Sequence, residues 1–210
     1  MRTLYFDNDV TWKLAACDLL DAAVSALDSD PTSVRLLATF KHRFGIANAR
    51  NRPKIQEQIG LAAYDRILAF QRAVGEVGPV SVDLLAMLED VPAVDQGEAI
   101  LFASAIEHPE SLVLTGDKRS LRSLASSDGS REIASHLAGR VVCFEQVIKV
   151  IIAAAGFEHV KSRVVPAIDC DVCLRSVFGS GLDAEEDQVR FALDGYISEL
   201  RNATGTLLWE

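Results

Sequence analysis

The chain has 210 residues, of which 49% are hydrophobic and 24% charged, a balance typical of a soluble globular protein with one sizeable core. Its net charge of −9 argues against broad, nonspecific binding to nucleic acid. No apolar run approaches the roughly 20 residues that a membrane-spanning helix needs, so we expect a cytoplasmic protein with no membrane partner.

The N-terminal residues predict a strand followed by a helix. The strand covers about residues 2–6, and apolar side chains recur at helical spacing over about 10–27. A turn-forming run at 28–31 marks the end of the predicted helix. Two acids, Asp7 and Asp9, stand between the strand and the helix.

A basic segment follows the second predicted strand, which covers 34–38. Residues 31–56 include no acid, and their basic residues are Arg35, Lys41, Arg43, Arg50, Arg52 and Lys54. Such a segment is most simply a solvated face. Near an acidic site, however, it favours a phosphate-bearing substrate, and we assign Arg50, Arg52 and Lys54 to substrate binding.

The middle of the chain alternates helices with strands. A helix is predicted over 53–73, a short helix over 82–88, and then a helix at 95–107, a strand at 112–115, a helix at 118–125 and a strand at 140–144. This alternation predicts an α/β fold with an open, mostly parallel sheet flanked by helices. Residues 146–210 are predicted to form a helical C-terminal extension that packs on or beside the domain formed by residues 1–145.

Acidic residues stand where three of these elements should converge. Asp7 and Asp9 follow the first strand, Asp95 and Glu98 open a helix, and Asp117 follows a later strand. The carboxyl ends of parallel strands border the crevice where such folds bind ligands. Clustered carboxylates suit Mg²⁺ or Mn²⁺ better than zinc. Each acid taken alone could instead cap a helix or complement its dipole.

These motifs resemble those of the PIN-domain nucleases. The strand ending in Tyr5-Phe6-Asp7-Asn8-Asp9, the helix opening at Gly97-Glu98-Ala99 and the strand ending in Leu114-Thr115-Gly116-Asp117 occur in the family's order, and Glu98 and Asp117 are 19 residues apart. The resemblance covers about residues 1–145. It implies a three-layer α/β/α fold and metal-dependent cleavage of phosphodiester bonds, more often in RNA than in DNA.

The resemblance also implies roles for particular residues. Asp7, Glu98 and Asp117 would be catalytic metal ligands, with Asp9 and Asp95 as further ligand candidates. Thr115 would hydrogen-bond a ligand carboxylate or a phosphate oxygen. Lys118 or Arg119 would stabilise charge on the reacting phosphate. One or two Mg²⁺ or Mn²⁺ ions would neutralise the phosphodiester and activate a water molecule.

The chain departs from the PIN pattern at the family's second acid. A glutamate is expected just after the second strand, where this sequence has Thr39. Glu57 or Asp65 from the next predicted helix could substitute for it, although nothing in the spacing shows that either does. The departure leaves a second function open, a catalytically degenerate module that binds RNA or a protein.

Other partners and one other enzyme class also fit parts of the sequence. An antitoxin, another protein or a second copy of the chain could cover the apolar C-terminal helices. Asp7-Asn8-Asp9-Val10-Thr11 also resembles the first motif of haloacid dehalogenase-type phosphatases. No later paired-acid motif supports that phosphatase, and the helix carrying Glu98 would have no role in it.

The four cysteines suggest thiols rather than a metal centre. Cys17 and Cys143 lie in apolar stretches, which predicts buried thiols. Cys170 and Cys173 form a single C-x-x-C, with His159 as the one plausible additional ligand. A structural zinc site needs four ligands, so this spacing argues against one.

Overall fold

The computed structural model describes residues 1–48, 50–126 and 128–210. Five parallel strands form one sheet, in the spatial order β3-β2-β1-β4-β5. The strands are β1 (Leu4–Phe6), β2 (Val34–Leu36), β3 (Gly75–Glu76), β4 (Leu112–Thr115) and β5 (Val141–Cys143). The predicted parallel α/β sheet is therefore confirmed.

Thirteen α-helices connect and extend the strands within the described residues. They are α1 (Asn8–Ala16), α2 (Leu20–Ala26), α3 (Phe40–Arg43), α4 (Arg52–Ile59), α5 (Leu61–Ala73), α6 (Val82–Glu89), α7 (Gln96–Glu107), α8 (Lys118–Ser126), α9 (Arg131–His136), α10 (Phe144–Ala155), α11 (Phe157–Val164), α12 (Val172–Val177) and α13 (Glu186–Thr204).

The sheet separates two hydrophobic cores, which gives three layers. Alternate strand residues point to opposite faces, so Leu4 and Phe6 pack into one core while Tyr5 packs into the other. The first core gathers α1, α2, α5, α10, α11 and α12. The second gathers α6, α7, α8 and α9. Strands buried on both faces explain the nearly continuous apolar runs in the sequence.

Two long predicted helices are each broken into two. The predicted helix over 10–27 is α1 and α2, separated where Asp18 adopts a positive φ of 54°. The predicted helix over 53–73 is α4 and α5, separated by Gly60 at φ 83°. These single-helix predictions were wrong because the apolar spacing continues across both breaks, so periodicity alone does not reveal a change of direction.

The C-terminal residues pack into both cores. The first half of α13 places Val189 and Leu193 in one core, and its second half places Ile197 and Leu200 in the other. After α13 the chain runs beside β5, where Leu208 forms a parallel bridge with Val141. The segment from 146 onward thus closes the β5 edge of the sheet. None of the helices in the described part of the chain combines the length and apolarity needed to cross a membrane.

Candidate active site

A cleft lies at the carboxyl edge of the sheet, between the ends of β1 and β4. The strand order reverses between these two neighbours, which is where open α/β sheets bind ligands. The cleft has a volume of about 840 Å³, and its lining includes all five acids predicted for the site: Asp7, Asp9, Asp95, Glu98 and Asp117. The structure therefore brings together carboxylates from distant parts of the chain.

Asp7 joins the end of β1 to the start of α1. Its side chain caps α1 by accepting a hydrogen bond from the Asn8 amide, and its own amide donates to the Leu114 carbonyl of β4 at 3.0 Å. Burial raises the pKa of Asp7 to about 6, and the nearby Asp9 and Asp95 carboxylates also raise it. Beside it, Asn8 Oδ1 is buried with no hydrogen-bond partner among the described residues, so one more oxygen acceptor is unused here.

Asp9 is held by a lysine rather than pointing freely into the cleft. Lys13 Nζ lies 2.6 Å from Asp9 Oδ2 and 2.8 Å from Asp171 Oδ2, in the loop that leads into α12. Burial opposes the charge on Lys13, but these two carboxylates outweigh it and raise the Lys13 pKa. Asp9 therefore already has a close cationic partner; among the other cleft acids, Asp117 Oδ2 lies at a longer 3.5 Å from the exposed guanidinium of Arg119.

Asp95 and Glu98 form a capping box at the start of α7. Asp95 Oδ1 accepts from the Glu98 amide at 2.8 Å, and Glu98 Oε2 accepts from the Asp95 amide at 3.1 Å. Glu98 is only 5% exposed, and Ser120 of α8 donates its hydroxyl to Glu98 Oε1 at 2.7 Å. Burial raises the pKa of Glu98 to about 7, with a further contribution from Asp117 and Asp95.

Asp117 forms the turn between β4 and α8. Its Oδ1 accepts from the amides of Arg119 and Ser120 at 2.8 and 3.2 Å, so it caps α8. Thr115 is buried, and its hydroxyl accepts from the Asp117 amide at 3.1 Å. Thr115 is absent from the cleft lining and shapes the turn that presents Asp117, whereas the sequence assigned it to substrate contact.

The predicted basic residues divide into three kinds. Arg119, with its side chain 84% exposed, and Arg43 of α3 both line the cleft. Lys118 also lines it, but its Nζ lies 2.5 Å from the buried Glu145, and this carboxylate outweighs the effect of burial and raises the Lys118 pKa. Arg50, Arg52 and Lys54 are exposed and are not among the residues that line the cleft.

Part of the cleft lining is apolar. Trp12 of α1, Phe44, and Ile55 and Ile59 of α4 line it, together with the polar Gln58. The sequence did not predict that these apolar residues line the cleft, because Ile55 and Ile59 also fit the buried face of an ordinary helix. At the position of the missing family glutamate, Thr39 is exposed, and neither Glu57 nor Asp65 lines the cleft.

The donor set fits a hard divalent cation, but the side chains are not arranged as a finished coordination shell. Carboxylate oxygens and the unpaired Asn8 oxygen are ligands that Mg²⁺ and Mn²⁺ prefer. Within the described residues, no group of three or more His, Cys, Asp or Glu side chains is placed to hold a metal ion. In Asp95 and Asp117 the capping bonds use Oδ1, so a cation could be held by Oδ2 while the helix stays capped. In Asp117 a metal ion would compete for Oδ2 with Arg119, which lies 3.5 Å away.

No protein-family model, curated protein or solved structure matches this chain. The likeness to PIN-domain nucleases therefore rests on the strand-end and helix-start motifs.

Proposed function

We propose that this protein is a divalent-metal-dependent nuclease that hydrolyses phosphodiester bonds in RNA. The observation that carries the proposal is the convergence of Asp7, Asp95, Glu98 and Asp117, with Asp9 beside them, on one cleft at the switch point of the sheet. Helix capping explains each acid separately, but it gives no reason for them to line the same cleft.

Electrostatics supports a cationic ligand. The pKa values of Asp7 and Glu98 are raised mainly by burial and further by the neighbouring carboxylates, so a bound cation would favour the ionised form of both groups. Asp7, Glu98 and Asp117 would hold Mg²⁺ or Mn²⁺. When bound, such an ion would neutralise the phosphodiester and lower the pKa of a bound water.

The chain's own residues supply positioning and proton chemistry. Arg43 and Arg119 line the cleft, and in this proposal they would bind phosphate oxygens of a nucleic acid strand. Glu98, whose pKa without metal is about 7, would give up its proton when it takes the ion, which makes metal binding depend on pH. The preference for RNA over DNA follows from the resemblance alone.

Cleavage of labelled RNA in Mn²⁺ tests the proposal. Wild type should cut single-stranded or hairpin RNA, and EDTA should stop the reaction. Asp7→Asn and Asp117→Asn should each lower the rate at least about 100-fold, because one ligand charge is lost while the capping oxygen remains. Retained cleavage in both variants would place the active site elsewhere.

Asp30→Asn provides a matched control. Asp30 caps a short helical turn by accepting from the amides of Thr32 and Ser33, as Asp117 does for α8, but it is not among the residues that line the cleft. Its substitution should leave cleavage unchanged. Equal loss of activity in Asp30→Asn and Asp117→Asn would trace the effect to lost capping.

The second candidate is a catalytically degenerate module that binds RNA or a protein, such as an antitoxin. Two observations favour it: the described side chains contain no ready-made metal cluster, and Thr39 stands where the family has an acid. Folded wild-type protein that binds labelled RNA in Mn²⁺ but never cuts it would support this candidate over the nuclease.

A further inference from the structure

The chain's C-x-x-C cysteines are not partners in the structure. Cys170 Sγ lies 3.8 Å from the Sγ of Cys17, a residue 153 positions away in the sequence. Cys173 lies in α12, where it is buried and contacts Glu145 instead of Cys170. All four cysteines are free thiols, and Cys17 and Cys143 are buried as the sequence predicts.

The two thiols of the close pair have different accessibility and acidity. Cys17, at the end of α1, is 1% exposed, whereas Cys170 is partly exposed. The contact with Cys17 lowers the pKa of Cys170, and Lys13 lowers it further, against burial and the nearby Asp171 and Asp9. The same contact and burial raise the pKa of Cys17. The more accessible thiol is therefore also the one that ionises more readily, and the thiolate is the form that attacks a disulfide.

We propose that Cys17 and Cys170 form a reversible thiol–disulfide site, in which Cys170 reacts with a small-molecule disulfide such as oxidised glutathione and Cys17 resolves the product. Cys170 thiolate attacks one sulfur of the glutathione disulfide, which gives a mixed disulfide and releases one glutathione thiolate. Cys17 then attacks Cys170 Sγ, its proton passing to the second departing glutathione. One glutathione disulfide is reduced to two thiols, and the protein gains one disulfide.

The position of the pair gives the bond a structural consequence. A disulfide has sulfur atoms about 2.0 Å apart, so the Cys17 and Cys170 sulfurs must approach from their present 3.8 Å. The bond would link the end of α1 to the 3-10 helix Val165–Cys170. Asp171, next to Cys170, holds Lys13, which in turn holds Asp9 at the cleft. The disulfide would therefore form one residue away from an ion-pair chain that ends at the candidate ligand Asp9.

Mass spectrometry tests the site after the full chain has been treated with oxidised glutathione and then unfolded in urea with N-ethylmaleimide, which reaches the buried thiols as well. Because Cys170 and Cys173 fall in one tryptic peptide, residues 164–175, the experiment uses Cys173→Ala beside wild type. In both proteins, disulfide formation should lower the mass by two hydrogen atoms. Peptide 14–35 should be found cross-linked to peptide 164–175, and Cys143 should be alkylated. Dithiothreitol should restore alkylation of both thiols.

Two further variants separate the steps of the reaction. Cys17→Ala should stop at a mixed disulfide carrying one glutathionyl group on Cys170. Cys170→Ala should form neither the mixed disulfide nor the cross-link. The proposal is overturned if wild type forms a Cys170–Cys173 disulfide instead, or if Cys17 and Cys170 stay fully alkylatable after exposure to excess oxidised glutathione.

Discussion

Asp7 and Glu98 are the residues whose ionisation depends most on the cleft. Their pKa values of about 6 and about 7 lie above the ordinary values of 3.8 and 4.5, with burial as the largest cause in both. Between the ordinary and the raised values, the folded protein binds more protons than the unfolded chain. The free energy of unfolding therefore falls as the pH rises through this window, and a cation that neutralises the cleft offsets the fall.

The first prediction concerns this pH dependence. In metal-free buffer, unfolding by urea should show stability declining from about pH 4 to about pH 7, with each group contributing about 3 kcal/mol to the decline. Asp7→Asn and Glu98→Gln should each flatten it, since an amide does not titrate. Asp30→Asn, outside the cleft, should keep it. If the stability of Glu98→Gln falls with pH in parallel with that of wild type, the raised pKa of Glu98 is not a cause of the decline.

At the residue scale, sequence reasoning predicted which acids meet but not how they are held. The convergence follows from strand ends in a parallel sheet, and the structure has all five acids in one cleft. The pairing of Lys118 with Glu145 could not be predicted, because it joins residues 27 positions apart through tertiary packing. The contact of Ser120 with the cleft acids had some basis in the sequence, since Ser120 follows Asp117 at helical spacing. Serine is common at such positions, however, so the spacing alone did not single it out.

At the scale of elements, the approach of α1 to the turn after β4 depends on Gly116. A Cβ added at Gly116 would lie 2.6 Å from Asp9 Oδ2 and 3.3 Å from Lys13 Nζ. The half-exposed Asp9 carboxylate would have to turn aside to admit this Cβ, which would disturb its ion pair with Lys13. The glycine of the Thr-Gly-Asp motif thus lets two elements of the cleft come together.

The second prediction follows from this contact. Gly116→Ala should lower the free energy of unfolding by about 1–3 kcal/mol, as overpacking does. Gly195→Ala is the matched control: nothing lies within 4 Å of an added Cβ there, and Gly195 is inside α13. That change should stabilise the protein by about 0.5–1 kcal/mol. Destabilisation of similar size in both variants would contradict the steric argument at Gly116.

Element boundaries were predicted well where the chain carries a strong local signal. The strand at 112–115 and the helix at 95–107 agree with β4 and α7, because an apolar run and a capping box mark them. The small helices α9, α11 and α12 were missed. Each has only six to eight residues, and helices this short depend on tertiary packing more than on their own sequence.

For the molecule as a whole, the C-terminal end is part of the fold. Leu208 is 2% exposed, packs into the core beside α7 and α8, and bridges Val141 at the sheet edge. The Trp209 amide also donates to the Val141 carbonyl at 2.8 Å. Sequence patterns gave no sign of this pairing, because one bridge lacks the length of a strand.

The third prediction measures the contribution of this end. Leu208→Ala should lower the free energy of unfolding by about 2–5 kcal/mol, because it leaves a cavity in a closed core. Leu182→Ala removes the same atoms at a position that is 70% exposed and should change stability by less than about 0.5 kcal/mol. Urea unfolding measures the free energy of unfolding of both variants. A loss of stability in Leu208→Ala as small as that in Leu182→Ala would contradict the packing described for the C-terminus.

The central claim, that the cleft carboxylates act together on a divalent cation, is tested most directly by Mn²⁺ binding, which needs no RNA substrate. Calorimetric titration at pH 7.5 should show binding by wild type and by Asp30→Asn, and a loss of at least about tenfold in affinity for Asp7→Asn, Glu98→Gln and Asp117→Asn. Binding should weaken at pH 5, where protons compete for Asp7 and Glu98. Equal Mn²⁺ affinity in wild type and all three cleft variants would contradict the account.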